Sequence, residues 1–337
     1  MTGVGSTEPS RPGGAGSAGA GAGGKRAVVA IGGNSLIKDK LHQTVRDQYI
    51  AAGETCWHIA SMIRDGWDIA IGHGNGPQVG FILRRSELAA HELHEVPLDV
   101  CGADSQGAIG YALVQNLEND FQRLGLDRHA VAVVTQMEVA ADDPAFEHPS
   151  KPIGSFMDEE TAARRKDQDG WDVVEDAGRG WRRVVASPTP LRIVEEDAVR
   201  TLVEGGFVVI ATGGGGIPVV ADADGNLTGV AAVIDKDHAC ALLATCLGAE
   251  LFLITTAVEK VALDFGTPEQ RWIDSLTLEE AKERLAEGRH FAPGSMGPKI
   301  EAVVRFLERG GSTAIITDPE NVERALAGET GTRIVTA

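Results

Sequence analysis

Six short runs dominated by apolar residues constrain the fold of this chain more than any other feature. They are AVVAI (27–31), WDIAI (67–71), HAVAVVTQMEV (129–139), FVVIAT (207–212), ELFLIT (250–255) and TAIIT (313–317), each bounded by glycine or polar residues. A strand with one face in water alternates apolar and polar residues. Runs that barely alternate therefore belong to strands covered on both faces. Helix-length amphipathic segments at 48–64, 106–124, 195–204 and 299–309 separate the runs. This β-α-β rhythm predicts an α/β fold, a three-layer αβα sandwich around an open, mostly parallel sheet.

Three stretches break the rhythm. Residues 1–24 are rich in Gly, Ala and Ser and have no long apolar core, so they read as a disordered tail and not as a secretion signal. Residues 141–185 are charged, turn-rich and too long for an ordinary connection. Two tryptophans and the string KPIGSF argue for an ordered lid or small subdomain inserted there. ADADGNLTGVAAV (221–233) places Asp-Gly-Asn between β-prone flanks and reads as a hairpin. Glycine-rich strand ends recur in both halves, which suggests two lobes on one sheet, 25–205 and 206–337.

Charge narrows the partners. The 337 residues carry a formal net charge of −18, whereas a nucleic-acid backbone or an anionic membrane needs a basic face. A small anionic substrate needs only a local positive site. The longest apolar stretch, ACALLATCLGAELFLITTAV, is interrupted by Gly248 and Glu250 and splits into a helix and a strand, not a membrane span. Cys56, Cys101, Cys240 and Cys246 form no CxxC pair, which fits reduced thiols in a cytoplasmic protein. The histidines show no metal-ligand spacing with acidic partners.

Ligands of open α/β sheets bind at the carboxyl ends of strands, where loops lead into helix N-termini. Four such places carry glycines: Gly32 and Gly33 before Asn34, Gly74 and Gly76 around Asn75, Gly213 to Gly216, and Gly294 with Gly297. One such loop is explained by a tight turn; four together point to a phosphate or carboxylate site. Neither GxxxxGK[ST] nor a strand-linked GxGxxG is present, which argues against a P-loop enzyme and a dinucleotide-binding oxidoreductase. Lysines supply the charge. Lys299 follows Pro298, read as the first residue of a helix. Lys236 lies between Asp235 and Asp237 at another helix start, and Lys151 precedes a proline, read as the tip of the insertion. A local surface ion pair would explain each lysine singly.

Long strings carry a resemblance to a known family: HGNGPQVG, PLDVCGADSQGAIGY, KPIGSF, EDAGRGWRRVV, GGGGIPVV, GVAAVIDKDHA and HFAPGSMGPKIEA. Across 27–335 the chain resembles the carbamate kinases of the amino-acid kinase fold. The resemblance implies reversible phosphoryl transfer between ATP and carbamate, giving ADP and carbamoyl phosphate, with Mg²⁺ carried on the nucleotide. It implies that the insertion is a protruding subdomain, a homodimer, a reaction usually run toward ATP, and a place in the breakdown of nitrogen compounds such as arginine. Gly32, Gly33, Asn34, Gly74, Asn75 and Gly76 would bind the acceptor and the transferred phosphoryl group. Lys151, Lys236 and Lys299 would be catalytic, with Asp237 orienting them. Gly214, Gly215, Thr255, Thr256, Ala257, Val258 and Met296 would bind the nucleotide. A kinase of another small acid and a non-catalytic binding paralogue are the alternatives.

Overall fold

The structure is a computed structural model that describes residues 24–33, 44–175, 180–292 and 294–336. Asn34 lies outside the described residues. An eight-stranded sheet runs in the order Ser275–Thr277, Thr332–Val335, Thr313–Thr317, Leu251–Thr255, Lys25–Ile31, Trp67–His73, Val208–Ile210, Ala130–Ala132. The six strands from Thr313–Thr317 onward are mutually parallel, and Thr332–Val335 runs against Thr313–Thr317. Helices cover both faces, giving the three-layer arrangement that the apolar runs predict.

Alternate residues of each run feed different cores, which is why the runs lack polar positions. Val28, Ala30, Ala70, Phe252, Ile254, Ala314 and Ile316 face one cluster, packed with residues from the helices Glu196–Glu204, Lys236–Cys246 and Met296–Glu308. Ala27, Val29, Ile31, Ile69, Ile71, Leu251, Leu253 and Ile315 face the other, packed with the helices Val45–Arg64 and Leu98–Leu124. Phe252 and Phe306 meet edge to face at 5.6 Å between ring centres, pinning the helix Met296–Glu308 to the sheet. Truncating such a buried ring typically costs about 3–5 kcal/mol.

Several boundaries differ from expectation, each for a local reason. The run 129–139 is two strands: Ala130–Ala132 ends the main sheet and Gln136–Val139 enters a second sheet beside Ile217–Ala221. The break falls at buried Thr135, whose N–H donates to Gln106 Oε1 (2.8 Å) and whose hydroxyl donates to the Val133 carbonyl (2.8 Å), so backbone bonding leaves the ladder. The helix read at 106–124 begins at Leu98, and the one read at 299–309 begins at Met296, with Pro298 in its third position. Proline is tolerated there because the first turn has no internal acceptor for its N–H. The hairpin is present between Ile217–Ala221 and Leu227–Gly229, its turn tied by Asp222.

Within 141–185 the described residues build a three-stranded antiparallel sheet in the order Lys151–Met157, Trp181–Val185, Asp172–Glu175, with the helix Glu159–Asp169 against it. Lys151 pairs in register with Val185, so it stands at the base of this unit and not at its tip. Val208–Ile210, which follows residue 205, pairs with Trp67–His73 and Ala130–Ala132, strands that precede it. Among the described residues no helix is long and apolar enough to cross a membrane.

Candidate functional site

Two cavities open where the glycine-bearing strand ends converge. The smaller, about 190 Å³, is walled by Gly74, Asn75, Gly76, Gly214, Lys151 and Asp235. The larger, about 380 Å³, is lined by Gly32, Gly33, Thr255 to Val258, Phe265 and Met296. Lys236, Gly294, Ser295 and Lys299 belong to both and form the wall between them.

Two helix starts place the charges on this wall. Asp235 caps the helix Lys236–Cys246, its Oδ1 accepting from the Asp237 N–H at 2.9 Å, which leaves Lys236 and Asp237 in the first turn. Asp237 accepts hydrogen bonds from both lysines: Lys236 Nζ on Oδ1, and Lys299 Nζ on Oδ2 at 3.0 Å. Lys151 Nζ reaches across from the inserted unit to Asp235 Oδ2 at 2.6 Å. Three lysines and two aspartates thus interlock in a largely buried cluster.

The cluster sets its own protonation. Burial alone would raise both carboxyls, but Lys151 and Lys236 outweigh it at Asp235, and Lys236 and Lys299 outweigh it at Asp237, so both lie below the usual carboxylate range. Burial would lower Lys236, yet Asp237 and Asp235 hold its ammonium above the ordinary value. Lys299 is the exception, with burial and then the Lys236 charge pushing it below the ordinary lysine value against the pull of Asp237. An incoming anion would relieve that repulsion, as expected of a cluster that lacks one negative group.

The predicted residues converge, with two exchanges between the cavities. Lys151, Lys236, Asp237, Lys299, Gly74, Asn75 and Gly76 meet at the smaller cavity, and Thr255, Thr256, Ala257, Val258 and Met296 at the larger. Gly214, expected on the nucleotide side, lines the smaller cavity instead, and Gly215 lines neither. The reason is packing: a Cβ on Gly214 would lie 2.0 Å from Asn75 Oδ1, and one on Gly215 would lie 2.3 Å from the Ile234 carbonyl oxygen. Gly214 also adopts φ +66°, and buried Thr212 before it is held at φ +51°, an unusual backbone for a residue with a side chain. Gly32 and Gly33, expected with the acceptor, line the larger cavity, and a Cβ on Gly33 would stand 3.4 Å from the Gly76 Cα.

Several contributors escape a sequence reading. The Ser105 hydroxyl lies 2.7 Å from both Asn75 Oδ1 and the Gly102 carbonyl, and so holds the Asn75 amide against the helix Leu98–Leu124. Buried Gln106 donates from Nε2 to the Thr135 and Gly213 carbonyls, each at 3.0 Å, and ties the second glycine loop to the helix Leu98–Leu124. His73 is fully buried; its Nδ1 donates to the Gly74 carbonyl at 3.0 Å while Nε2 has no partner among the described residues. Burial drops its pKa to about 4, so the ring is neutral. All three stand inside family strings, His73 in HGNGPQVG and Ser105 and Gln106 in PLDVCGADSQGAIGY, but the partners of Ser105 and Gln106 lie about 30 and 107 residues away, which no string shows.

Comparison with known proteins agrees with this arrangement. The sequence pattern of the amino acid kinase family matches residues 25–318. A carbamate kinase-like protein of Escherichia coli, YahI, is 50% identical over 91% of this chain and 98% of its own. Carbamate kinase of Thermococcus kodakarensis is 45% identical over 92% of this chain and 99% of its own. The solved structure of carbamate kinase from Giardia lamblia bound to AMP-PNP superposes with a TM-score of 0.85 at 39% identity, covering 93% of this chain and 98% of that one. The chain therefore belongs to the amino acid kinase family, in its carbamate kinase group.

Proposed function

We propose that the protein is a working carbamate kinase that transfers a phosphoryl group reversibly between carbamoyl phosphate and ADP. The observation that carries this reading is the shared wall: a small polar cavity and a larger, more apolar one meet at Lys236 and Lys299, both anchored on Asp237. The smaller cavity suits carbamate better than an amino-acid acceptor. The larger has the size and apolar lining for the base and sugar of a nucleotide, whose phosphates would then lie at the wall.

In the direction of ATP formation, the terminal oxygen of ADP attacks phosphorus, the bond from phosphorus to the carbamate oxygen breaks, and carbamate leaves as an anion. In reverse, carbamate attacks the γ-phosphorus of ATP. Because carbamate is already anionic, no general base is needed, and catalysis reduces to in-line positioning and charge neutralisation. Lys236 and Lys299 would face the transferred phosphoryl oxygens, and Lys151 would hold the acceptor from the inserted unit. The Gly74–Gly76 backbone and the Asn75 amide would hold its carboxylate. Mg²⁺, riding on the nucleotide, would neutralise phosphate charge. Asp235 and Asp237 already bond lysines, which fits a metal held mainly by phosphate oxygens. Carbamoyl phosphate is a mixed anhydride, so transfer to ADP is the chemically downhill direction.

Two finer readings accompany this. The helices Val45–Arg64 and Leu98–Leu124 expose Ile50, Trp57 and Tyr111, which supports a homodimer joined on that face. Four free cysteines support a reducing, cytoplasmic setting. The deciding assay is ATP formation from ADP, Mg²⁺ and carbamoyl phosphate by the purified protein, with acetyl phosphate as comparison donor. Rapid ATP formation from carbamoyl phosphate supports the reading. Faster turnover of acetyl phosphate would move the acceptor to another small acid, and no turnover with intact ADP binding would indicate a binding paralogue.

A further inference from the structure

A third cavity, about 410 Å³, lies between the helix Gln78–Ala89 and the inserted unit. It touches the smaller catalytic cavity only through Gly80, Ile153 and Gly154, and neither Lys236 nor Lys299 lines it. At this seam the backbones are in direct contact: a Cβ on Gly80 would lie 2.4 Å from the Gly154 Cα.

Its lining is cationic in a chain whose net charge is −18. Arg84 comes from the helix; Arg164, Arg165 and Arg183 come from the inserted unit; only Glu87 and Asp158 oppose them. Glu87 is shared between Arg84 (3.0 Å) and Arg165 (3.4 Å), and Arg165 also bonds Asp169 (2.7 Å). Arg164 and Arg183 make no ion pair among the described residues. The Arg165 and Arg183 guanidinium carbons each sit 4.7 Å from the centre of the Trp171 ring, which fixes both planar forks. Arg183 Nε is buried without a hydrogen-bond partner, and burial lowers its pKa from the ordinary arginine value. Glu87, Asp169 and Asp172 attract the Arg183 charge without reaching ion-pair distance and burial outweighs them, so a stacked, desolvated guanidinium has a buried N–H left for an oxyanion to complete.

We propose that this cavity is a second ligand site, which binds a small anion of at least two negative charges between Arg84 on the body and Arg164 and Arg183 on the inserted unit. Carboxylate and phosphate oxygens both match the guanidinium fork, so the shared chemistry is a compact dianion. The site stands on its own geometry and does not depend on which acceptor the enzyme phosphorylates.

The test is titration calorimetry on the full chain with two probes, succinate and inorganic phosphate, which separate a dicarboxylate ligand from a phosphate one. At least one probe should bind saturably, and Arg84→Gln, Arg164→Gln and Arg183→Gln should each weaken it about tenfold, the usual scale for losing one charge-assisted bond. Lys236→Ala should leave that affinity unchanged. Because Arg183→Gln removes a stacking partner and could perturb folding, the exposed Arg164 carries the decision. Binding that is lost in Lys236→Ala, or that survives Arg164→Gln intact, would place the anion elsewhere and overturn the proposal, as would failure of both probes to bind.

Discussion

The two cavities that meet at Lys236 and Lys299 are walled in different ways. The smaller is built from bare backbone and charge, with Gly74, Gly76, Gly154 and Gly214 next to Lys151, Asp235 and Asp237. The larger is built from side chains, with Ala257, Val258, Ala262, Phe265 and Met296 around it. A wall of N–H groups and ammonium groups recognises a small anion by electrostatics and excludes bulk by the closeness of the main chain. An apolar wall recognises a flat, weakly polar group by area. The division of labour follows from the chemistry of the walls, and substitutions on one side should leave binding on the other largely intact.

Lys236→Ala removes a charge from the shared wall and should cost the most, a fall in kcat of about a hundredfold or more, the usual scale for losing a group that stabilises transition-state charge. Near-normal turnover in a coupled ATP assay would remove Lys236 from the mechanism.

The next effect is confined to acid. His73 is fully buried beneath Gly74 and has its pKa depressed from 6.5 to about 4. The unfolded chain takes up a proton through the ordinary histidine range while the folded ring does not. Its contribution to stability is therefore present above pH 6.5 and lost as pH falls toward 4, by about 3 kcal/mol in total. Denaturant midpoints measured from pH 7 to pH 4 should fall more steeply for the wild type than for His73→Gln. Parallel curves would show that His73 does not govern the acid limb.

Gly214→Ala tests the smaller cavity alone. Its Cβ would strike the Asn75 amide in a backbone conformation that alanine tolerates poorly. The KM for carbamoyl phosphate should rise about tenfold with an unchanged KM for ADP, alongside a loss of about 1–3 kcal/mol in stability. An altered ADP constant would return Gly214 to the nucleotide side. Phe265→Ala tests the larger cavity and should have the mildest effect. Phe265 is exposed and meets Trp272 edge to face at 6.3 Å, so its loss should raise the KM for ADP about fivefold, near 1 kcal/mol, and spare carbamoyl phosphate. Equal changes in both constants would break the contrast between the two walls.

The legible part of the site was the part held by covalent neighbours. DKDH marks a helix start carrying Lys236, and GSMGPK another carrying Lys299; the structure has both within the first four residues of their helices, the first capped by Asp235. The glycines announced close approach but not what approaches. The resemblance implies Gly33 with the acceptor and Gly214 with the nucleotide, whereas Gly33 lines the larger cavity and Gly214 the smaller. The Lys-Pro sequence suggests the tip of the insertion for Lys151, whereas its pairing with Val185 places it at the base, within reach of Asp235.

The sequence by itself determined the layers, the faces of the strands and the family, because apolar periodicity and motif strings are local properties of the chain. Only the tertiary structure decided which loops became neighbours. Val208–Ile210 inserts between Trp67–His73 and Ala130–Ala132 and carries the Gly213–Gly216 loop to Asn75. Lys151 finds Asp235 across 84 residues. Strand order is fixed by the global fit of two cores against one sheet, and no local pattern encodes it, so the composition of each cavity wall becomes known only when the sheet is assembled.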